Sequence, residues 1–340
     1  MIILDEFIRW LIIFLSSFAL PMIAQRHTIP HLPNGSMGML IAVTGATGFL
    51  GHYIVNHLIK QGHQCRCWFR PKSNRNGFIE DGKNIEWLAG QLNDQEAAAN
   101  LVNGTDAVVH AALARSGWNI ANGELVDLVT TNIAGSLRLM QTARAAKVDR
   151  FIFISTCAVH DKILNDRPLD ETHPLWPNSH YGAHKASIEK FVHSFGLGQG
   201  WPICALRPTG IYGLAHPPQQ SRWLDLVRDV IAEKSICTAE GGKEVHAADV
   251  AKAIEILIAA SPASIAGHSF NCYDIYVAQQ RVAQITRQIT GSNSRIAELN
   301  NGPKNQIDTS KLRALGMHFG GDDLLKKTIS ELVETARAQE

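Results

Sequence analysis

The chain has 340 residues, 45% of them hydrophobic and 19% charged, which is enough apolar material for one large domain or two unequal lobes. Its 32 Lys and Arg against 31 Asp and Glu leave a net charge of +1, so no field is available to gather nucleic acid or anionic lipid. That composition also excludes a disordered, collagen-like or disulfide-scaffold protein. Six cysteines, none in a C-x-x-C pair, read as buried free thiols and point to a reducing compartment.

Residues 1–36 differ from the rest. Residues 10–25 form a 16-residue run without a charge, flanked by Arg9 and Arg26 and followed by a loop-like stretch. It is short for a membrane span, and as an export signal it lacks a small-x-small cleavage pattern and carries Asp5 and Glu6. Three readings stay open: an upstream extension with translation starting at Met37 or Met39, a membrane anchor, or an export signal. The rest of the chain is expected to be cytoplasmic, and membrane-anchored if this segment is native.

Residues 40–43 are a short apolar run, as expected of a strand buried on both faces of a parallel sheet. They lead into Thr44-Gly45-Ala46-Thr47-Gly48-Phe49-Leu50-Gly51 and then a helical stretch over 52–61. Glycines at this junction allow a tight turn, close approach of backbone N–H groups to a pyrophosphate, and close helix–strand packing. The spacing is G-x-x-G-x-x-G, and its place between strand and helix predicts dinucleotide binding by Gly45, Thr47, Gly48, Phe49, Leu50 and Gly51.

The next strand, 65–69, decides which dinucleotide. No Asp or Glu occurs between Gly45 and Ile79 to meet a ribose 2′-hydroxyl. Arg70, Lys72 and Arg75 stand there instead, and an arginine fork suits a 2′-phosphate. The expected cofactor is NADP(H), with Arg70 as the main contact and NAD as the alternative.

Further strands are predicted at 85–88, 107–110, 151–155 and 203–206, with helices between them, notably 124–146 and 185–195. Such alternation predicts an α/β protein with a doubly wound parallel sheet, a Rossmann fold. The predicted division is a nucleotide-binding domain over 37–212 and a smaller substrate-binding lobe over 213–340, partly interleaved with it.

Strand 151–155 ends in Ser155-Thr156, placing hydroxyls at the carboxyl edge, where such sheets bind ligands. Tyr181 and Lys185 are four apart at the start of a helical pattern and therefore share a face. A phenol needs a cation beside it to act as a base near neutral pH, and Lys185 would supply that charge. With Thr156 holding a substrate oxygen and Tyr181 moving its proton, this set predicts hydride chemistry between an alcohol and a ketone. His180 and His184 read as surface residues, whereas Trp176, Trp201 and Trp223 fit either a pocket lining or the core. No H-E-x-x-H signature is present, and no metal is predicted.

These motifs together resemble the extended short-chain dehydrogenase/reductases of the NAD(P)-dependent epimerase/dehydratase family. The likeness runs from Met39 to about Gly316. It includes Thr44–Gly51, "DAVVHAA" from Asp106, Asn132, residues 151–156, Tyr181 to Lys185, "RPTGIYG" from Arg207 and "VHAADV" from Val245. The resemblance implies Thr156, Tyr181 and Lys185 as catalytic residues. It places Gln91, Leu92, Ala111, Ala112, Asn132, Lys185 and Pro208 along the cofactor, and it implies a homodimer formed through paired helices. Cys157-Ala158 replaces the acidic pair of sugar 4,6-dehydratases, and Gly242 stands where many sugar-nucleotide enzymes of the family carry a diphosphate-gripping arginine. The expected protein is therefore an NADP(H)-preferring oxidoreductase acting on a small-molecule substrate. A nucleotide-sugar epimerase with recycled NAD and a non-catalytic NADPH-sensing protein are the alternatives.

Overall fold

The computed structural model describes residues 38–79, 82–114, 124–298, 302–303 and 305–338. The segment over 1–36 lies outside them, and no helix among the described residues is long and apolar enough to cross a membrane.

In chain order, β1 (Leu40–Thr44) leads into α1 (Phe49–Lys60), followed by β2 (Gln64–Phe69), β3 (Ile85–Ala89), α2 (Gln95–Val102) and β4 (Ala107–His110). A long helix follows as α3 (Glu124–Val129) and α4 (Gly135–Ala145), joined by a π turn over Thr130–Ala134. Next come β5 (Arg150–Ile154), α5 (His180–Gln199), β6 (Ile203–Pro208) and the short β7 (Gly210–Tyr212). The chain continues through α6 (Leu224–Ile231), β8 (Gly241–His246), α7 (Ala247–Ala259), α8 (Pro262–Ile265), β9 (His268–Cys272) and β10 (Ile275–Ala278). It closes with α9 (Gln279–Thr290), α10 (Ser310–Ala314) and α11 (Gly321–Arg337).

Seven strands form one all-parallel sheet in the order β3-β2-β1-β4-β5-β6-β9, the doubly wound order with a seventh strand beside β6. The continuous apolar strands follow from cover on both faces. Ile41, Val43, Ile152 and Ile154 pack with α1 and α7 on one side. Ala42, Phe151 and Phe153 pack with α2, α4 and α5 on the other.

β7, β8 and β10 make a second sheet of three strands. Its core is separate, built from Trp223, Val227, Val277, Val282 and the α11 residues Leu325, Ile329 and Leu332. Because β9 and α7 belong to the large sheet's layers, the chain leaves that layer after β6 and re-enters it between β8 and β10. Trp201 and Trp223 are core residues, while Trp176 is exposed.

The helix expected over 185–195 spans His180–Gln199. It begins earlier because the Ser179 side chain accepts a hydrogen bond from Gly182 N at 3.1 Å and caps it. This puts Tyr181 inside the first turn. Four of the cysteines are buried as expected, whereas Cys157 is half-buried and Cys237 is exposed.

Candidate active site

The site grows out of the carboxyl ends of adjacent strands, where the Thr44–Gly45 turn, Ala111–Ala112, Ser155–Thr156 and Pro208–Thr209 line up along one edge. At the turn, Gly45 has φ +73°, and a Cβ there would sit 2.8 Å from the backbone of Ala111 and Ala112. A Cβ on Gly51 would meet Gly45 O at 2.1 Å. These contacts are with backbone, which cannot swing aside, so both positions admit glycine only. Helix α1 starts at Phe49 with neither a side-chain cap nor an acidic residue in its first turn. The turn therefore suits the diphosphate of a dinucleotide, with Thr47, Gly48, Phe49 and Leu50 at its rim.

A buried relay fixes this turn to the next strand. Ala112 N donates to Thr44 Oγ1 at 3.1 Å, and Thr44 Oγ1 lies 2.7 Å from His110 Nδ1. His110 Nε2 lies 2.8 Å from Ser136 Oγ, which donates to Asn132 O at 2.5 Å. Since Ser136 spends its proton on Asn132, His110 donates from Nε2 and accepts at Nδ1. Burial, aided by the charge of Lys185, pushes His110 down to about 3, so the ring stays neutral. Asn132, in the π turn, has both ends of its amide engaged: Oδ1 accepts from Ala114 N at 2.8 Å and Nδ2 donates to Ala114 O at 3.2 Å. It holds the segment just after β4 in place. His110 and Ser136 were not singled out from the sequence, although His110 lies inside the quoted "DAVVHAA".

At the end of β2, Arg70 is exposed and its backbone closes a turn with Ser73. Arg75 is committed elsewhere, its guanidinium 4.4 Å from the centre of the Phe69 ring and 5.8 Å from that of Trp87. Gln91 is exposed just beyond β3, and Leu92 is buried against Gly135 of α4.

Thr156 is buried. Its Oγ1 accepts a bond from Ala158 N at 3.1 Å, which leaves the hydroxyl proton to donate. Tyr181 is half-buried on the first turn of α5. One helical turn on, Lys185 Nζ donates to Ile154 O at 2.7 Å, two residues before Thr156. Burial pulls the Lys185 ammonium down to about 8, with the charge of Glu189 opposing. His184, expected at the surface, is instead buried, because the helix turns that side of its first two turns inward; His180 is exposed. The two histidines are four apart on α5, but among the described residues no group of three His, Cys, Asp or Glu side chains is placed to hold a metal ion.

Beneath Lys185 lies an ion pair that the sequence reading missed. Arg207 and Glu189 are both fully buried and joined by a 2.6 Å NH2–Oε2 contact and two 3.1 Å bonds from Nε. Glu189 also accepts from Ser155 Oγ and, at 3.1 Å, from Ser269 Oγ. Burial alone would raise the Glu189 carboxyl, but Arg207 and these donors outweigh it and hold the group below its ordinary value. One carboxylate thus ties α5 to the ends of β5, β6 and β9. Its only sequence signal was the i, i+4 spacing from Lys185.

Comparison with known proteins agrees with this architecture. Residues 41–272 match the family model described as "NAD dependent epimerase/dehydratase family", and the chain belongs to that family of enzymes. It is 29% identical over 188 residues to "Low-salt glycan biosynthesis protein Agl12" of Haloferax volcanii, covering 54% of this chain and 60% of that protein. It is also 29% identical over 178 residues to "3 beta-hydroxysteroid dehydrogenase/Delta 5-->4-isomerase" of Mycobacterium tuberculosis, covering 51% of this chain and 47% of that protein. The matched segments thus span about half to three-fifths of these relatives. Among solved structures, UDP-glucose-4-epimerase from Stenotrophomonas maltophila, with bound NAD and formylated UDP-arabinopyranose, superposes with a TM-score of 0.71 at 22% identity. That superposition covers 88% of this chain and 98% of the other, and it shows a shared fold.

Proposed function

We propose that the chain is an NADP(H)-preferring oxidoreductase that interconverts a secondary alcohol and a ketone on a small organic substrate. The observation that carries this reading is the position of Lys185. A fully buried ammonium, lowered to about 8, lies one helical turn from Tyr181 and is bonded to the strand that presents Thr156. Thr156 donates its hydroxyl proton to the substrate oxygen. Tyr181 takes the proton of the carbinol in oxidation and returns it in reduction, and the neighbouring Lys185 charge favours the phenolate. A nicotinamide, when bound, supplies or accepts the hydride. Arg70 and Lys72, exposed at the end of β2 with Arg75 stacked away, support a 2′-phosphate contact. Gln91, Leu92, Ala111, Ala112 and Pro208 would flank the rest of the cofactor.

A second reading is supported by the Stenotrophomonas relative: a redox epimerase on a nucleotide sugar, with NAD retained through the cycle. The two separate on purification. Protein that carries stoichiometric NAD(H) supports the epimerase, and protein that arrives empty and binds NADPH more tightly than NADH supports the exchange of cofactor on each turnover. For the mechanism, Tyr181→Phe is expected to lower turnover by roughly a hundredfold to ten-thousandfold while NADPH affinity, read by fluorescence titration, stays within about threefold. Turnover that survives the change removes Tyr181 from the chemistry.

A further inference from the structure

The small sheet sorts its charged residues onto two faces. In register, Gly210 of β7 lies opposite Glu244 of β8, and Ile211 lies opposite Val245. On the other side, Tyr276 of β10 lies opposite Lys243. The Glu244 carboxylate folds over two glycines: a Cβ on Gly210 would come within 2.4 Å of Oε2, and one on Gly242 within 2.3 Å of Oε1. Arg222 closes this pair with a 2.6 Å ion pair to Glu244 Oε2. The charge of Glu244 is therefore satisfied on its own face.

Side chains alternate along a strand, so Lys243 shares the face of Val245. Val245 is fully buried among residues of the large sheet, with Ile154, Leu206 and Cys272, and Ile211 packs against the same cluster. Lys243 therefore faces the carboxyl edge of the large sheet. Cys157, the residue after Thr156, lies within its electrostatic reach.

The ammonium is half-buried there, and no hydrogen bond or ion pair engages it among the described residues. The Cys157 thiol provides no counter-charge, because burial pushes it up to about 12. The other two cations nearby are buried, Lys185 donating to the carbonyl of Ile154 and Arg207 paired with Glu189. Lys243 is thus the one of these three cations that a ligand can reach, and a half-buried ammonium without an anionic partner is unfavourable until an anion joins it. A single charge matches a carboxylate better than it matches a phosphate dianion or a diphosphate.

Resting on the oxidoreductase reading above, we propose that Lys243 binds a substrate carboxylate. The substrate is then an oxo acid or hydroxy acid whose carboxylate pairs with Lys243 Nζ while its carbonyl or carbinol lies at Thr156.

The test uses the NADPH-loaded full chain with acetoacetate, levulinate and phenylpyruvate, each beside its methyl ester. NADPH oxidation gives turnover, and calorimetry gives binding. One acid at least should be preferred over its ester by about tenfold to a hundredfold, the worth of one charge-assisted hydrogen bond. The preference should collapse in Lys243→Met and return in Lys243→Arg, with NADPH affinity unchanged in both. Equal use of acid and ester, or a preference that Lys243→Met retains, overturns the carboxylate assignment while the hydride reading stands. Lys243-dependent binding of acids without turnover of any probe keeps the assignment and counts against the hydride reading. No binding of any acid, or inorganic phosphate displacing the acids at equal concentration, also overturns the assignment.

Discussion

The carboxyl edge of the seven-stranded sheet and the face of the three-stranded sheet opposite it are built by different means. On the large sheet the site is shaped by backbone. Gly45 and Gly51 are pressed against carbonyls and amides that cannot move, and a relay through His110 pins that turn to the next strand. On the small sheet the backbone is plain pleated strand and the character comes from side chains: Glu244 lying over two glycines, Arg222 closing it, Lys243 turned the other way. A backbone-defined half suits a cofactor whose diphosphate is always the same. On the proposed reading, the side-chain-defined half is where one substitution would change the substrate while leaving the fold in place.

Breaking the backbone half should have the largest effect. Gly51→Val places branched atoms into Gly45 O and Ala46 O, contacts that no rotamer avoids. It is expected to abolish detectable NADPH binding by calorimetry and to cost about 3 kcal/mol or more in denaturant unfolding. Retained binding would mean that the turn can open, and the contrast between the halves would lose its basis.

The buried carboxylate that ties α5 to β5, β6 and β9 comes next. Glu189→Gln keeps the shape but leaves Arg207 charged and buried, so a loss of about 3–5 kcal/mol in urea unfolding is expected. A loss under about 1 kcal/mol would show that the bonds Arg207 keeps, from NH1 to His160 Nε2 at 3.0 Å and to Glu171 O at 3.3 Å, are enough to hold its charge.

The smallest of these effects sharpens the comparison at the cofactor end. Arg70 lies on the exposed rim, and among the described residues its bonds to Ser73 come from its backbone. Arg70→Asp should leave thermal stability unchanged and shift the NADPH-to-NADH affinity ratio toward NADH by about tenfold to a hundredfold. An unchanged ratio would remove Arg70 from the 2′-phosphate assignment.

Much of the large sheet was legible because its signals are local. Residues 107–110 match β4 residue for residue, and the other predicted strands agree to within one or two residues, since a strand buried on both faces must be apolar throughout. The start of α5 was missed by five residues, because its cap is a serine ahead of a stretch with little apolar periodicity. His184 was misplaced for a related reason: only packing tells which side of that first turn is covered.

What the sequence determined by itself is the set of things that short segments enforce: a glycine turn between strand and helix, a phenol and an ammonium one turn apart, cations where a carboxylate would mark NAD. The pairing of Arg207 with Glu189, the neutral His110 between Thr44 and Ser136, and the half-buried place of Lys243 on the strand face away from Glu244 were decided only by the tertiary structure. The physical reason is that a charge has no fixed meaning along a chain. Its role depends on how much water it loses and on which opposite group the folding brings within reach, and both are set by residues tens of positions away.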